Sequence, residues 1–202
     1  MQRLELVHDW LARQFPGRPL SVAPASADAS FRRYFRITFD DGLTRIVMDA
    51  PPEHEDCRPF VHVAGLLHEA GVHAPEILAQ DLDRGLLLLT DLGSTTYLDA
   101  LDASNADDLF RDALDALVKW QLASRPDALP PYDEALLRRE LNLFPDWYVA
   151  RHLGSPLTAP QQEVLEQVQA LLLQNILAQP RVFVHRDYMP RNLMVCEHNP
   201  GV

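Results

Sequence analysis

The sequence predicts an α+β fold in which a small antiparallel sheet comes first and a mainly helical part follows. Apolar residues alternate in several stretches before residue 91, whereas from about residue 105 to residue 178 they recur at helical spacing. The polar, glycine-containing stretch 91–94 separates the two patterns. We therefore predict an N-terminal lobe over residues 1–92 and a helical C-terminal lobe over residues 93–202. An all-helical bundle with one added hairpin remains the alternative.

Each predicted element of the N-terminal lobe rests on periodicity and on the residues that end it. Residues 2–15 carry an apolar stripe at helical spacing, and Pro16 with Gly17 ends that helix. A second helix is predicted at residues 58–70, with Gly71 at its C-cap. The alternating stretches predict four strands in two hairpins: 31–39 with 43–48, and 76–80 with 85–90.

The C-terminal lobe is predicted to consist of three helices and one polar loop between two short strands. Apolar periodicity places the helices near residues 105–124, 133–152 and 159–178, with several prolines marking breaks or kinks. After them, the apolar stretches around residues 181–184 and 193–195 flank a polar segment. These stretches predict strands that enter and leave a loop.

Charge and composition restrict the classes of partner. The 202-residue chain has a net charge of −11, which argues against nucleic acid or an anionic membrane surface as a partner. The N-terminus lacks the apolar core of a secretory signal, and the longest apolar run is too short to cross a bilayer. We expect a cytoplasmic protein with two reduced cysteines. The sequence does not indicate an oligomeric state.

The polar loop carries the most informative pattern in the chain. His185, Arg186 and Asp187 are followed by four residues and then by Asn192. This spacing matches the catalytic loop of protein kinases, where strands also flank the loop. A surface loop with accidental spacing is the alternative, and the flanking apolar stretches make it the weaker one.

Phosphoryl transfer explains why these residue types occur at this spacing. The reaction needs a carboxylate that orients the acceptor hydroxyl and takes its proton, and it needs oxygen ligands for Mg²⁺. Asp187 is the predicted catalytic base and Asn192 the predicted metal ligand. His185 is predicted to anchor the loop, and Arg186 is included in the catalytic set. Residues 91–93 are predicted to form a hinge whose backbone seats an adenine.

Five segments carry a resemblance to a known family. The loop 185–194 and the hinge-like stretch 88–93 resemble those of the aminoglycoside phosphotransferases and choline kinases. Residues 25–36, 47–52 and 144–148 are similar to bacterial anomeric sugar kinases that act on N-acetylmuramate and N-acetylglucosamine in cell-wall recycling. The resemblance covers essentially the whole chain. It implies a two-lobed protein-kinase-like fold and an ATP- and Mg²⁺-dependent sugar kinase.

The resemblance also implies two groups of ligand-binding residues. Nucleotide contacts are expected from the region around the first hairpin and from the hinge: Ser26, Ser30, Arg32, Thr90, Asp91 and Leu92. Sugar contacts are expected from an aromatic helix end and from the loop: Trp147, Tyr148, Arg151 and Arg191. Core packing of the two aromatic residues is the alternative for that helix end. An acidic pocket would instead favour an aminoglycoside, choline-like or homoserine-like alcohol as acceptor.

Three features depart from the family pattern. The stretch expected to cover the phosphates, residues 25–30, contains no glycine. The strand expected to end in a phosphate-binding lysine ends in Met48 and Asp49, and the chain's single lysine is Lys119. Arg32, Arg33, Arg36 and Arg45 are the candidates to replace it.

The third departure concerns the second metal ligand. Glu197 is the single carboxylate side chain after Asp187, whereas the resemblance implies an aspartate beyond the turn at residues 199–201. We therefore expect a C-terminally truncated chain. A non-catalytic, kinase-like binding module is the alternative function; the missing lysine favours it and the intact loop opposes it.

Overall fold

The computed structural model describes residues 2–27 and 31–202. The chain forms two compact units, one made of residues 1–123 together with 184–202 and the other of residues 124–183. The predicted sheet and the predicted catalytic loop both belong to the first unit. The lobe boundary near residue 92 does not coincide with either limit of these units and stays a prediction.

The first unit contains a five-stranded antiparallel sheet with the order β1-β2-β3-β5-β4. The strands are β1 (Leu20–Ala27), β2 (Arg33–Phe39), β3 (Thr44–Asp49), β4 (Ile77–Asp81) and β5 (Leu86–Thr90). Four of them were predicted, and β1 was not. Small residues and Pro24 hide the alternation of β1, and its last three residues were assigned to a phosphate-covering loop. Pairing with β2 nevertheless extends to Ala27.

Helices cover both faces of this sheet. Helix α1 (Gln2–Gln14) packs Val7, Trp10 and Leu11 against one face, where alternate residues of β2 and β5 are buried. Helix α2 (Arg58–Glu69) packs against the opposite face through Phe60 and Val61. Alternation therefore assigns each strand residue to the α1 face or to the α2 face, because successive side chains point to opposite sides.

Turns in the sheet follow the predicted chemistry. In the β2–β3 hairpin, the Phe39 amide donates to the Leu43 carbonyl and the Gly42 amide donates to the Phe39 carbonyl, with Gly42 at a φ of +82°. Gly85 is the most constrained glycine, because a Cβ there would lie 1.8 Å from the carbonyl oxygen of Ala50. Its own carbonyl accepts a hydrogen bond from the Ala50 amide at 2.8 Å. A side chain at position 85 would break this close approach of two backbone segments.

Beyond the sheet, the first unit holds α3 (Tyr97–Ala100), α4 (Ala106–Leu122) and a single 3₁₀ turn, Pro190–Asn192. The prediction of regular strands on both sides of the loop was wrong, because residues 181–185 have no strand pairing in the described structure. After the loop, only Met194 pairs, with Thr96 on one side and Gly201 on the other. The chain bends at residues 197–199 and Gly201 already belongs to that second pairing, so the turn predicted at 199–201 lies slightly earlier in the structure.

The second unit contains α5 (Glu134–Leu141), a π-helix (Phe144–His152) and α6 (Ala159–Leu177). The single helix predicted at residues 133–152 is therefore two elements. Pro145 lacks the backbone N–H that an α-helix uses for its hydrogen bonds. The chain continues in a wider turn, in which the Leu153 amide donates a hydrogen bond to the Tyr148 carbonyl. None of the helices in residues 2–27 and 31–202, α6 included, is long and apolar enough to cross a bilayer.

Candidate active site

Asp187 and Asn192 form a hydrogen-bonded pair within the predicted catalytic loop. The Asn192 amide nitrogen donates to Oδ2 of Asp187 at 2.7 Å and to the Asp187 carbonyl at 3.0 Å. Both side chains are exposed. Because the amide nitrogen points at the carboxylate, the amide oxygen of Asn192 points away from it. The pair thus presents a carboxylate that is fixed in orientation and an amide oxygen that faces elsewhere.

Local backbone structure sets this geometry. The 3₁₀ turn is closed by a 2.8 Å hydrogen bond from the backbone amide of Asn192 to the Met189 carbonyl. This turn brings the Asn192 side chain back toward Asp187. Arg186, immediately before Asp187, has a φ of +73°. An arginine in this left-handed region is strained by about 1–2 kcal/mol. Residues in such conformations are concentrated at functional sites, and Arg186 lies next to the predicted base.

His185 has the surroundings of a packing residue. Its ring lies edge-to-face with Tyr188, with 5.2 Å between ring centroids. Burial lowers the pKa of His185 despite the opposing charge of Asp187, so the imidazole is neutral at neutral pH. Its buried Nδ1 has no hydrogen-bond partner among the described residues. These surroundings fit the predicted anchor role.

Two tyrosines that the sequence prediction did not identify pack beneath the loop. The Tyr188 hydroxyl donates to the Ala113 carbonyl of α4 at 2.6 Å, which ties the loop to that helix. Tyr97 is fully buried in the same apolar cluster, and its hydroxyl is without a partner in the part of the chain that the structure describes. Burial raises the pKa of each tyrosine to about 12. The sequence signal that could have identified Tyr188 is its position directly after the predicted catalytic base, Asp187.

The two tyrosines provide a matched test of the loop's attachment. Tyr188→Phe removes a hydroxyl with a partner and should destabilise the chain by about 1 kcal/mol. Tyr97→Phe removes a buried hydroxyl that has no hydrogen-bond partner among the described residues, so the free energy of unfolding should stay equal or rise. Urea unfolding of the two variants measures the difference. Equal destabilisation by both substitutions would contradict the hydrogen bond to Ala113.

A bidentate ion pair between Arg36 and Asp91 connects β2 to the hinge. Arg36 of β2 donates to both carboxylate oxygens of Asp91, at 2.6 and 3.0 Å, and to the Gly93 carbonyl at 2.7 Å. Burial raises the pKa of Asp91, but hydrogen bonds from Arg36 and the Gly93 amide outweigh it and leave the pKa below its ordinary value. The Asp91 side chain is therefore occupied by Arg36, so a nucleotide would meet the hinge through its backbone.

The remaining hinge residues contact the segments on either side. Thr90 exchanges hydrogen bonds with the backbone of Glu76, and the Cys196 thiol donates to the Leu92 carbonyl at 3.3 Å. An open groove of about 460 Å³ lies beside them, lined by His73, Ala74, Glu76, Thr90, Asp91, Leu92, Gly93, Cys196 and Glu197. Asp187 and Asn192 are not among the residues that line it.

The candidate phosphate-binding arginines differ in their partners. Arg33 and Arg3 of α1 both bind Asp49, whose carboxylate is fully buried. Arg36 is bound to the hinge, and Arg45 donates to the Thr44 carbonyl. Arg32 contacts Glu55 at 3.5 Å and hydrogen-bonds Tyr34.

Other predicted ligand contacts are distributed over the chain. Ser26 belongs to β1, but its side chain lies outside the described residues, and so does Ser30. Arg191 is exposed within the 3₁₀ turn. In the second unit, Trp147 and Tyr148 are half-exposed, and the Arg151 guanidinium lies 3.9 Å from the Trp147 ring centroid. The choice between sugar contacts and core packing for these aromatic side chains stays a prediction.

A family comparison agrees with the fold and with the loop geometry. A model described as "phosphotransferase enzyme family" matches residues 21–202, which include the sheet, the hinge and the loop. The chain belongs to the phosphotransferase enzyme family. The predicted resemblance to the aminoglycoside phosphotransferases and choline kinases is thereby confirmed.

Curated relatives of this phosphotransferase share a name. The N-acetylmuramate/N-acetylglucosamine kinase of Pseudomonas aeruginosa is 61% identical over 184 residues, which are 91% of the chain and 54% of that protein. The N-acetylmuramate/N-acetylglucosamine kinase of Neisseria meningitidis is 43% identical over 206 residues, covering 100% of the chain and 61% of that protein. The chain thus spans little more than half the length of the curated relatives it matches.

Solved structures confirm the protein-kinase-like fold. A choline/ethanolamine kinase family protein from Mesorhizobium loti has a TM-score of 0.64 and 13% identity, with 99% of the chain and 63% of that protein covered. An aminoglycoside phosphotransferase from Streptomyces rimosus, solved with ADP and streptomycin, has a TM-score of 0.61 and 17% identity, with 97% and 72% covered. At these identities the likeness concerns the fold alone.

The family implies Mg²⁺ bound with a nucleotide, and the loop fits one protein ligand to that ion. The amide oxygen of Asn192 is a hard ligand turned away from Asp187, and Mg²⁺ commonly takes one or two protein oxygens and completes its shell with water and phosphate. No group of three His, Cys, Asp or Glu side chains in residues 2–27 and 31–202 forms a separate metal cluster. Bound there, Mg²⁺ would neutralise charge on the phosphates.

Proposed function

We propose that this phosphotransferase transfers the γ-phosphoryl group of ATP to the anomeric hydroxyl of N-acetylmuramate or N-acetylglucosamine. The observation that carries the proposal is the exposed Asp187–Asn192 pair, in a family defined by phosphoryl transfer. The names of the relatives supply the substrate class, because 61% and 43% identity extend over nearly the whole chain. A cytoplasmic location is part of the same proposal.

Asp187 has the central role in the proposed reaction. The bond from Asn192 holds one carboxylate oxygen, so the other can accept a hydrogen bond from the sugar hydroxyl. The hydrogen bond orients the hydroxyl oxygen toward the γ-phosphorus, and the Asp187 carboxylate receives the proton as the new O–P bond forms. The bond between the γ-phosphorus and the bridging oxygen breaks, and ADP leaves. The amide oxygen of Asn192 would be a ligand to Mg²⁺, which would neutralise charge on the phosphates.

The other predicted residues have supporting roles in this proposal. The backbone of residues 91–93 seats the adenine, and Ser26, Ser30 and Arg32 are the candidates for contacts with the phosphates. Trp147 and Tyr148 stack on the sugar, because exposed aromatic faces suit the apolar face of a pyranose. Arg151 and Arg191 are each a candidate partner for the lactyl carboxylate that distinguishes N-acetylmuramate.

An ADP-release assay with a panel of acceptors tests this function. Turnover is expected with N-acetylmuramate and N-acetylglucosamine but not with the methyl glycoside of N-acetylglucosamine, which has no free anomeric hydroxyl. Because the chain is shorter than its relatives, the assay uses the chain alone and the chain joined to the portion of the Pseudomonas relative outside the matched region.

The panel also contains kanamycin, choline and homoserine, which separate the alternative acceptors. Turnover of the methyl glycoside would place the reaction at another hydroxyl. Turnover of one of these three alcohols alone would replace the proposed acceptor class. No turnover by either form of the protein, with the Pseudomonas relative active in parallel, would favour a non-catalytic binding module.

A further inference from the structure

The two faces of the sheet separate the candidate phosphate-binding arginines. In β2, Phe35 and Ile37 are buried on the α1 face, whereas Tyr34 packs on the α2 face. Arg33 shares the α1 face with its partner Asp49, and that face is closed by α1. Arg36 has the parity of Tyr34 and so belongs to the α2 face. Arg32 lies immediately before β2 and hydrogen-bonds Tyr34, which places it on the same face. The α2 face is also the one from which Arg36 reaches the hinge.

Contact geometry then distinguishes Arg32 from Arg36. Arg36 makes a bidentate contact with a carboxylate that is 4% exposed, with distances of 2.6 and 3.0 Å. Such a charge-assisted pair is among the strongest in proteins. Arg32 approaches Glu55 at 3.5 Å, the limit of a hydrogen bond, and a third of its side chain is exposed. Breaking the contact with its carboxylate therefore costs much less free energy for Arg32 than for Arg36.

Position along the strand adds an independent argument. Arg36 marks the hinge end of the α2 face, through its bonds to Asp91 and Gly93. Arg32 lies four residues earlier, immediately before the first residue of β2, and four residues of extended chain span at most about 13 Å. This distance is comparable with the reach of an extended nucleoside diphosphate from its base to its terminal phosphate. A nucleotide whose base lies at the hinge can thus bring its phosphates to Arg32.

We propose that Arg32 binds the polyphosphate of the nucleotide and exchanges Glu55 for phosphate oxygens when the nucleotide binds. Arginine suits this role because its planar guanidinium donates two parallel hydrogen bonds to a phosphate. On the same face, β3 offers the fully buried Met48 and no cation. The inference deepens the proposed function and rests on it, since it requires that the chain binds an adenine nucleotide.

Calorimetric titration of the full chain with ADP and with adenosine tests the assignment without turnover. Arg32→Gln is expected to weaken ADP binding by about 10- to 100-fold, the loss of one or two charge-assisted hydrogen bonds. Adenosine binding should change less than about twofold, because adenosine has no phosphate, and it also reports that the variant is folded. Glu55→Gln should bind ADP at least as tightly as the parent chain.

Arg58→Gln is the matched control, because Arg58 is exposed near Glu55 and pairs with Asp56. It removes one positive charge from the same region and should leave ADP affinity unchanged within about twofold. Unchanged ADP affinity in Arg32→Gln would overturn the assignment, as would equal losses for ADP and adenosine. A parent chain that binds neither ligand would contradict the nucleotide-dependent function itself, which is a distinct result.

Discussion

Asp187→Asn is expected to lower kcat for phosphoryl transfer by about 10²- to 10⁴-fold, the usual contribution of a general base. The substitution preserves shape, and the carbonyl oxygen of the new side chain can still accept the hydrogen bond from Asn192. It removes the negative charge that orients the sugar hydroxyl and takes its proton. Initial rates at saturating ATP and N-acetylmuramate measure the effect.

The loss should be confined to the chemical step. ADP affinity and unfolding midpoint of Asp187→Asn should match those of the parent, because the side chain is exposed. Asp115→Asn removes an equivalent charge from an exposed site on α4 and should retain the parent's rate. Turnover by Asp187→Asn within a few-fold of the parent would show that another group is the base.

Asp49→Asn is expected to lower the free energy of unfolding by about 3 kcal/mol. The Asp49 carboxylate is fully buried and accepts from Arg3 and Arg33, so its loss leaves two guanidinium groups facing a neutral amide. Breaking a buried ion pair typically costs about 3–5 kcal/mol. The lower end of this energy range applies because the Arg33 side chain is half-exposed. Urea unfolding followed by circular dichroism provides the measurement.

Asp41→Asn is the comparison for this prediction. Asp41 also pairs with an arginine, Arg18, but its side chain is 57% exposed. An exposed pair contributes about 1 kcal/mol at most, so this variant should be nearly as stable as the parent. If the two variants lost the same amount of stability, the buried cluster would not be what holds α1 to the end of β3.

Local signals made the hairpins, helix α2 and the catalytic loop predictable. Alternation over β2 and β5, Gly42 at the hairpin turn and Gly71 after α2 each act within a few residues, so the sequence pattern contains them directly. The spacing from Asp187 to Asn192 is likewise local, and the hydrogen bond between these two side chains agrees with the roles predicted for them.

Features that depend on distant partners were not predictable in the same way. Asp49 resembles a strand-ending acidic residue in the sequence, yet Arg3, 46 positions away, makes it the centre of a buried cluster. Arg36 was a phosphate candidate until the structure paired it with Asp91, 55 positions away. Strand β1 lacks alternation and is identified by its pairing with β2 alone.

The arginine content of the chain acquires a structural explanation from these pairings. Arg33 and Arg36 link β2 to Asp49 and to the hinge, and each is satisfied by a carboxylate. The chain has one lysine, Lys119, which lies on α4, so the positively charged side chains on strands β1–β5 are all arginines. The proposed role of Arg32 therefore assigns phosphate binding to the arginine with the weakest of these carboxylate contacts.

Phosphorus NMR of the reaction product tests the central claim most directly. The chain, with and without the added portion of the Pseudomonas relative, is incubated with Mg²⁺, ATP and N-acetylmuramate. The account predicts ADP together with a sugar 1-phosphate whose phosphorus couples to the anomeric proton, and predicts that Asp187→Asn removes this signal. A phosphate on another sugar oxygen, or a sugar 1-phosphate formed equally fast by Asp187→Asn, would contradict it.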